Sequence, residues 1–161
     1  MISCRQANLS DATDGELIVK LLNVYAMDPM GGGEPISEYV VEHLADELAQ
    51  RSEYALAFFA YYDTEPAGLA ICFKGFSTFE CKGLINIHDL VVIPNFRRRG
   101  ICSALLAHIE LFARSNNFCK LTLEVLDGNH PAKATYSAAG FGSYELDPAT
   151  GQALFWQKIL L

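Results

Sequence analysis

Residues 83–126 contain a strand-like run, a basic turn, a helical stripe and a second strand-like run in uninterrupted succession. The apolar character of 83–93 and of 121–126 predicts strands, and between them Ile101, Leu105 and Ile109 recur at helical spacing. Two strands joined through a helix run parallel in one sheet, because the helix returns the chain to the starting end. This segment therefore predicts a parallel strand pair within an α/β protein.

The rest of the chain adds antiparallel pairs and further helices to this prediction. A strand over 2–7 precedes two helical stripes, and the apolar runs 54–62 and 69–76 are joined by a turn, which is typical of a hairpin. A short helix is expected over 131–139, and two last strands are expected on either side of the turn at 147–151. The order of elements predicts a mixed, mostly antiparallel sheet flanked by helices.

Composition limits the classes of function. The 161 residues, 51% of them hydrophobic and 19% charged, predict one domain over 1–161 and exclude a disordered chain. The net charge of −7 argues against nucleic acid or an anionic membrane surface as the main partner. No apolar run approaches the roughly 20 residues that cross a bilayer, and the N-terminus is not a signal peptide, so a cytoplasmic protein is expected. The five cysteines lack paired metal-ligand spacing, which predicts reduced thiols and no metal site.

The turn between the strand at 83–93 and the following helix carries the clearest chemical signal. Three arginines at 97–99 stand directly before Gly100, where the helix begins. Free N–H groups at a helix start, the positive end of the helix dipole and the guanidinium groups together favour a bound phosphate, in particular a pyrophosphate. Gly100 allows close approach of the backbone, and Cys102 and Ser103 are also small. The alternative is an ordinary strand-to-helix turn with solvated arginines.

A second segment, 127–141, adds to this signal. Asn129 is placed to cap a short helix, Pro131 follows it, Tyr136 lies two turns into the helix, and Gly140 follows its end. The two segments, in this order and separation, resemble the general-control-related N-acetyltransferase superfamily, usually called GNAT.

The phosphate-binding signature of that superfamily, Gln/Arg-x-x-Gly-x-Gly/Ala, falls here on Arg97, Gly100 and Cys102, with cysteine as a small departure. The resemblance covers roughly 54–158 and is nearest to the diamine (spermidine/spermine) acetyltransferases. It implies the GNAT fold, with a sheet that is splayed at the cofactor site, and acetyl-CoA as the cofactor. The cofactor-binding residues that it implies are Leu90, Val91, Val92, Arg97, Arg98, Arg99, Gly100, Ile101, Cys102, Ser103, Ala104, Asn129 and Tyr136.

The resemblance also implies the catalytic groups for direct attack of an amine on the thioester in a ternary complex. Tyr136 falls where the family places the acid that protonates the departing thiolate, although it could simply pack the short helix. His88-Asp89 replaces the Glu-Asp pair of the diamine enzymes, so His88 is the candidate base and Asp89 could hold the substrate cation or orient His88. Neighbours on a regular strand face opposite ways, so these two cooperate only across a bulge. Glu124 is an alternative base, and His88 could instead have a structural role.

The acceptor is the part that the sequence constrains least. A small-molecule amine, first of all a polyamine or another cationic amine, is expected from the resemblance and from the acidic balance. An amino acid, an antibiotic or a peptide amine is an alternative acceptor. A non-catalytic acyl-CoA-binding regulatory module is another alternative, because histidine replaces the expected carboxylate. The acidic residues that could line an acceptor site, or simply form a solvated helix face, are Asp28, Glu34, Glu38 and Glu42.

Two further expectations concern Cys102 and the C-terminus. A thiol at a helix start beside arginines could have a lowered pKa and be reactive, or it could simply be the small residue that the turn requires. The last residues carry more apolar surface than a solvated edge should, which predicts a homodimer. The side chains concerned are Phe155, Trp156, Ile159 and Leu160.

Overall fold

The computed structural model describes residues 1–145 and 147–160, which form two units, Met1–Leu123 and Glu124–Leu161. The first unit contains the sheet and three of the helices described below, and the second contains one short helix. One domain over 1–161 stays a prediction. Within the described residues, no helix has both the length and the apolar character to cross a membrane.

The first unit is built on a five-stranded sheet whose strands lie side by side in chain order. The first three pairings are antiparallel and the last, between the fourth and fifth strands, is parallel. This confirms the predicted mixed sheet and its parallel pair. The strands are β1 (Ile2–Gln6), β2 (Ala55–Tyr62), β3 (Glu65–Ser77), β4 (Lys82–Val92) and β5 (Leu121–Leu123).

Helices cover both faces of this sheet. The neighbours Phe58 and Phe59 on β2 are fully buried and point to opposite faces, as the strand geometry requires. Phe59 belongs to a core cluster with Ile18 and Leu21, and Phe58 packs 5.3 Å, centroid to centroid, from Phe112 on the other side. The helices are α1 (Ala12–Ala26) and α2 (Glu38–Gln50), which share the Phe59 face, α3 (Ile101–Ser115) on the Phe58 face, and α4 (His130–Ala138) in the second unit.

The C-terminal part differs from the prediction. The fifth strand ends at Leu123 rather than at residue 126. The two expected last strands are wrong for the described residues: an isolated bridge joins Glu145 to Gln152 around the short 3-10 turn Pro148–Thr150. An apolar run becomes a strand only where a neighbouring strand supplies a ladder, and Trp156 is 83% exposed. The predicted homodimer stays a prediction.

One carboxylate ties β1 to the start of α1. Asp14 is 6% exposed and accepts hydrogen bonds from Nη1 and Nη2 of Arg5, at 2.8 and 2.6 Å, and from the Asn8 N–H at 2.8 Å. The Arg5 guanidinium also lies over the Phe59 ring, 5.0 Å from its centroid. The bond from Arg5 holds the pKa of Asp14 below its ordinary value of 3.8.

We expect Asp14→Asn to reduce the free energy of unfolding by about 1–3 kcal/mol, because the Arg5 guanidinium and the Asn8 N–H lose a buried, charged acceptor. The folded pKa of Asp14 is depressed, so this contribution is present above the unfolded pKa and is lost as the pH falls through the folded pKa. Urea titrations of the protein and of Asp14→Asn from about pH 7 to about pH 3 should therefore converge at the acid end. The exposed-carboxylate control Asp46→Asn should change stability by less than about 0.5 kcal/mol. A difference in unfolding free energy between the protein and Asp14→Asn that does not vary with pH would contradict this prediction.

Candidate functional site

The fourth strand extends beyond its parallel neighbour. β5 pairs with β4 only at Ile85, Asn86 and Ile87, whereas β4 continues to Val92. Residues 89–92 remain paired with β3 on the other side. Within the described residues, 88–92 therefore have no partner on β5, and their backbone can hydrogen-bond to an extended ligand. This stretch of β4 includes Leu90, Val91 and Val92, the strand residues that the resemblance assigns to the cofactor.

A β-bulge lies at His88. The register between β3 and β4 shifts between Ile71 and Cys72, so that His88 has no residue opposite to it and Asp89 pairs with Ile71. Ile71 belongs to the core cluster under α1, and the His88 ring lies 5.4 Å from the ring of Phe73, which packs against that cluster. Both side chains thus lie on the face that α1 and α2 cover. The bulge that their cooperation requires is present, and their catalytic roles stay predictions.

A group of interacting acidic and phenolic side chains extends from this bulge: Asp89, Tyr25 and Asp28. Asp89 is half-buried, and burial raises the pKa of its carboxyl, with His88 opposing that rise. Burial also raises the pKa of Tyr25 at the end of α1, and the charges of Asp89 and Asp28 raise it further. The carboxyl groups of Asp89 and Asp28 therefore both act on the phenol of Tyr25. No functional role was predicted for Tyr25, since only its position before a glycine-rich loop could have indicated one.

The turn before α3 leaves the start of the helix open. Gly100, the N-cap residue, has φ 84°, and Arg98 also has a left-handed backbone with φ 59°. A Cβ in this conformation costs roughly 1–2 kcal/mol, so glycine is favoured at the cap. Gly100 has no side chain to accept from the first-turn N–H groups, which include those of Ile101, Cys102 and Ser103. With the helix dipole, they can bind an anion.

The three arginines of this turn differ in their surroundings. Arg97 donates from Nε to the carbonyl of Val92, at 3.1 Å, and from Nη2 to the Asp28 carboxylate, at 2.6 Å. The Arg99 guanidinium lies over the rings of Tyr62 and Phe96, 5.1 and 5.7 Å from their centroids. Two of the guanidinium groups thus already have protein partners. Sequence patterns did not reveal the Asp28–Arg97 bond, because 69 positions separate the two residues.

Cys102 is a half-buried, protonated thiol rather than an activated thiolate. Burial raises its pKa to about 11, so it is protonated at neutral pH. This contradicts the lowered pKa considered for it, because burial removes hydration from the charged thiolate. The small size of the residue remains the reason for its place in the turn. Ala104, one turn into α3, donates its N–H to the carbonyl of Gly100 at 3.0 Å.

The second unit carries the remaining predicted residues. Asn129 caps α4, as predicted, by accepting a hydrogen bond from the Ala132 N–H at 3.3 Å. Tyr136 is half-buried in α4, its ring centroid 6.2 Å from that of Phe141, and its carbonyl accepts from the Phe141 N–H at 3.0 Å. Glu124, the alternative base, is the exposed first residue of this unit. The predicted catalytic and cofactor residues therefore come from both units.

Known proteins share the sequence features of this chain. Residues 19–141 match the family described as Acetyltransferase (GNAT) family. The chain is 32% identical over 84 residues to the thialysine N-epsilon-acetyltransferase of Caenorhabditis elegans, a match that covers 52% of each protein. It is 38% identical over 68 residues to the streptothricin acetyltransferase of Streptomyces lavendulae, covering 42% of this chain and 36% of that protein. The matches thus span about half, or about a third, of these curated relatives.

Solved structures share the fold over nearly the whole chain. An aminoglycoside acetyltransferase from an uncultured soil metagenomic sample, in complex with trehalose, has a TM-score of 0.77 at 17% identity, covering 99% of this chain and 97% of that one. A possible acetyltransferase from Clostridium difficile 630 has a TM-score of 0.77 at 19% identity, covering 99% of both chains. These likenesses establish the fold that the sequence predicted.

Proposed function

Because the chain belongs to the acetyltransferase (GNAT) family, we propose that it transfers the acetyl group of acetyl-CoA to a primary amine by direct attack in a ternary complex. One observation carries this proposal. The β4 backbone loses its β5 partner after Ile87, and the strand then leads through a short turn into a helix start that no side chain caps. An open strand edge beside an anion-binding helix start suits a ligand that has both amide groups and phosphates.

The open strand edge and the uncapped helix start both suit coenzyme A. The backbone of 90–92 would hold the amide groups of the pantetheine arm, and the pyrophosphate would lie against the backbone of 98–104. A Cβ added to Gly100 would have a single neighbouring side-chain atom within 4 Å, Cδ1 of Ile2 at 3.7 Å. This open space supports close approach of a phosphate to the turn. Acetyl-CoA supplies the activated thioester, and the residues of the chain bind, orient and move protons.

The catalytic residues that we propose are those whose chemistry suits the proton transfers of the reaction. His88 is exposed at the bulge and would take the proton of the ammonium group, after which the amine nitrogen forms its bond to the acetyl carbon. The C–S bond would then break, Tyr136 would donate a proton to the departing thiolate, and the second proton that the acylated nitrogen loses would return Tyr136 to its phenol form. The half-buried Asp89, on the same face as His88, would orient the histidine or hold the cationic substrate. The role of Tyr136 is taken from the family pattern, and a phenol can donate a proton to a thiolate.

The acceptor that we propose is a small cationic amine. Asp89 lies at the bulge beside His88, and its charge acts on the phenol of Tyr25, so a carboxyl and a hydroxyl form a group near the proposed base. Such a group attracts a cation and repels an acidic acceptor. The C. elegans relative is named for acetylation at an N-epsilon nitrogen, which agrees with an amine acceptor. The net charge of −7 favours the same class of substrate.

The first prediction of the proposed function concerns cofactor binding. Coenzyme A should bind and raise the midpoint of thermal unfolding by mass action. Gly100→Val should weaken this binding at least about tenfold, because the added side chain occupies the space of the phosphate. Gly151→Val is the matched control, since Gly151 also has a positive φ, 79°, and open space around its Cα. Calorimetry that finds equal affinity for Gly100→Val and the unmodified protein would rule out the proposed location.

The second prediction concerns turnover and its acid. With acetyl-CoA and a panel of polyamines, amino acids, aminoglycosides and peptides, thiol release should be fastest with small cationic amines. Tyr136→Phe should lower kcat by about 10²- to 10⁴-fold and leave coenzyme A affinity nearly unchanged, because the lost interaction belongs to the transition state. A loss below about threefold would remove Tyr136 as an essential acid. Binding of coenzyme A without turnover of any amine would favour a regulatory binding module.

The third prediction concerns the base. A histidine base must be neutral to accept the proton, so the pH profile of kcat/KM should have an acidic limb. Deprotonation of the amine can produce a similar limb, and the variants separate the two causes. His88→Gln should abolish the histidine limb and leave coenzyme A affinity intact, whereas His43→Gln, on the exposed side of α2, should keep both. If His88→Gln retains the rate and the limb, then Glu124, Asp89 or solvent is the base.

A further inference from the structure

Asp28 organises the loop that joins α1 to α2. Its backbone carbonyl accepts hydrogen bonds from the N–H groups of Gly31, at 2.8 Å, and Gly33, at 3.1 Å. Its side-chain Oδ1 accepts from the N–H of Met30 at 2.9 Å. One residue therefore binds three backbone groups of the loop. The loop 27–33 therefore has a defined fold, although it contains three successive glycines.

The glycines of this loop are required by that fold. A Cβ on Gly31 would lie 2.0 Å from the carbonyl oxygen of Tyr25, a distance that no side chain tolerates. Gly32 and Gly33 have φ values of 122° and 81°, which favour glycine. The close approach at Gly31 places the loop directly against the backbone of Tyr25. The loop therefore lies next to the group of side chains around the bulge.

Arg97 fixes the same loop to the end of β4. The second oxygen of Asp28, Oδ2, accepts from Nη2 of Arg97 at 2.6 Å, and Nε of that guanidinium donates to the Val92 carbonyl at 3.1 Å. The Asp28 side chain is 17% exposed, so the ion pair is partly shielded from water. The Met30 N–H, followed by Arg97, holds the pKa of Asp28 below its ordinary value, so the carboxylate is charged at neutral pH.

We propose that Arg97 is a positioning residue for the amine site: with Asp28 it holds the loop 27–33 against the end of β4, while the backbone of 98–104 binds the phosphates. This inference rests on the proposed acetyl transfer to a cationic amine. Its geometric basis is that Nε and Nη2 of Arg97 are both engaged by the protein, and that its charge is balanced by Asp28 at hydrogen-bond distance. Loosening the ion pair would release the loop 27–33, with its Asp28 carboxylate, from the end of β4 and so from the proposed amine site.

The experiment is a double-mutant cycle with two separate functional readouts. Asp28→Asn, Arg97→Gln and the double variant should each raise KM for the amine roughly tenfold, with the double variant no worse than the worse single variant, because both substitutions break one interaction. The dissociation constant of coenzyme A, measured by calorimetry, should change by less than about twofold. Arg97→Lys keeps the charge but not the two-atom contact, so it should recover only part of the effect.

A third readout does not depend on catalysis. In the ligand-free protein, hydrogen exchange at 29–33 should be faster in Asp28→Asn and Arg97→Gln, because residue 28, which accepts from the N–H groups of Met30 and Gly31, is no longer held by the ion pair. Arg98→Gln is the matched control: it removes one charge from the same turn, and it should weaken coenzyme A binding while leaving amine KM and loop exchange unchanged. Equal thermal midpoints would exclude global unfolding as the cause.

The outcomes separate this inference from the proposed function. If Arg97→Gln weakens coenzyme A binding tenfold or more and leaves amine KM and loop exchange unchanged, Arg97 is a phosphate ligand and the inference is overturned. An increase in amine KM for Asp28→Asn alone would make Asp28 a direct ligand of the cation, which also overturns it. If the unmodified protein neither binds coenzyme A nor acetylates an amine, the proposed function fails. Loop exchange then decides the positioning role alone, and unchanged exchange refutes it.

Discussion

The arrangement of the first unit depends on the unequal pairing of β4. This strand is bonded on both edges at residues 85–87 and, further along, on the β3 edge alone. Backbone N–H and C=O groups need partners, so a half-paired strand inside an α/β sheet is a place where a ligand can complete the ladder. The bulge at His88 lies where β5 ends, so the change in pairing and the change in side-chain direction coincide.

Rigid packing on both faces holds this half-paired strand in place. On one face, a Cβ at Gly68 would lie 3.0 Å from Cγ2 of Ile101 and 3.0 Å from the carbonyl oxygen of Val91, so α3 begins in close contact with β3 and β4. The start of the helix is thereby fixed relative to the open strand edge. On the other face, Ile18 and Leu21 of α1 are buried in the core cluster, and the end of that helix brings Tyr25 to the bulge. Groups held by packed elements keep a geometry that mobile loops would lose.

The sequence predicted features that are local and missed those that are not. The helix start at Gly100 and the cap at Asn129 each depend on a few adjacent residues, and both were predicted. The bulge appeared only as a condition for cooperation between His88 and Asp89, because register is a property of two strands. The thiol pKa of Cys102 had the opposite direction to that expected, since burial depends on packing that the sequence does not specify. The two last strands were wrong because apolar runs do not specify their partners.

The ion pair between Asp28 and Arg97 also addresses a problem of charge in such a site. A polyanionic cofactor and a cationic amine need opposite potentials within one small region. An uncompensated carboxylate beside the turn would repel the phosphates, and an uncompensated guanidinium beside the loop would repel the ammonium group. Paired, the two charges largely cancel at the junction of the loop and β4. In the proposed reaction, the N–H groups of the α3 start would then act on the phosphates, and Asp89 would act on the amine, each with little interference from the other.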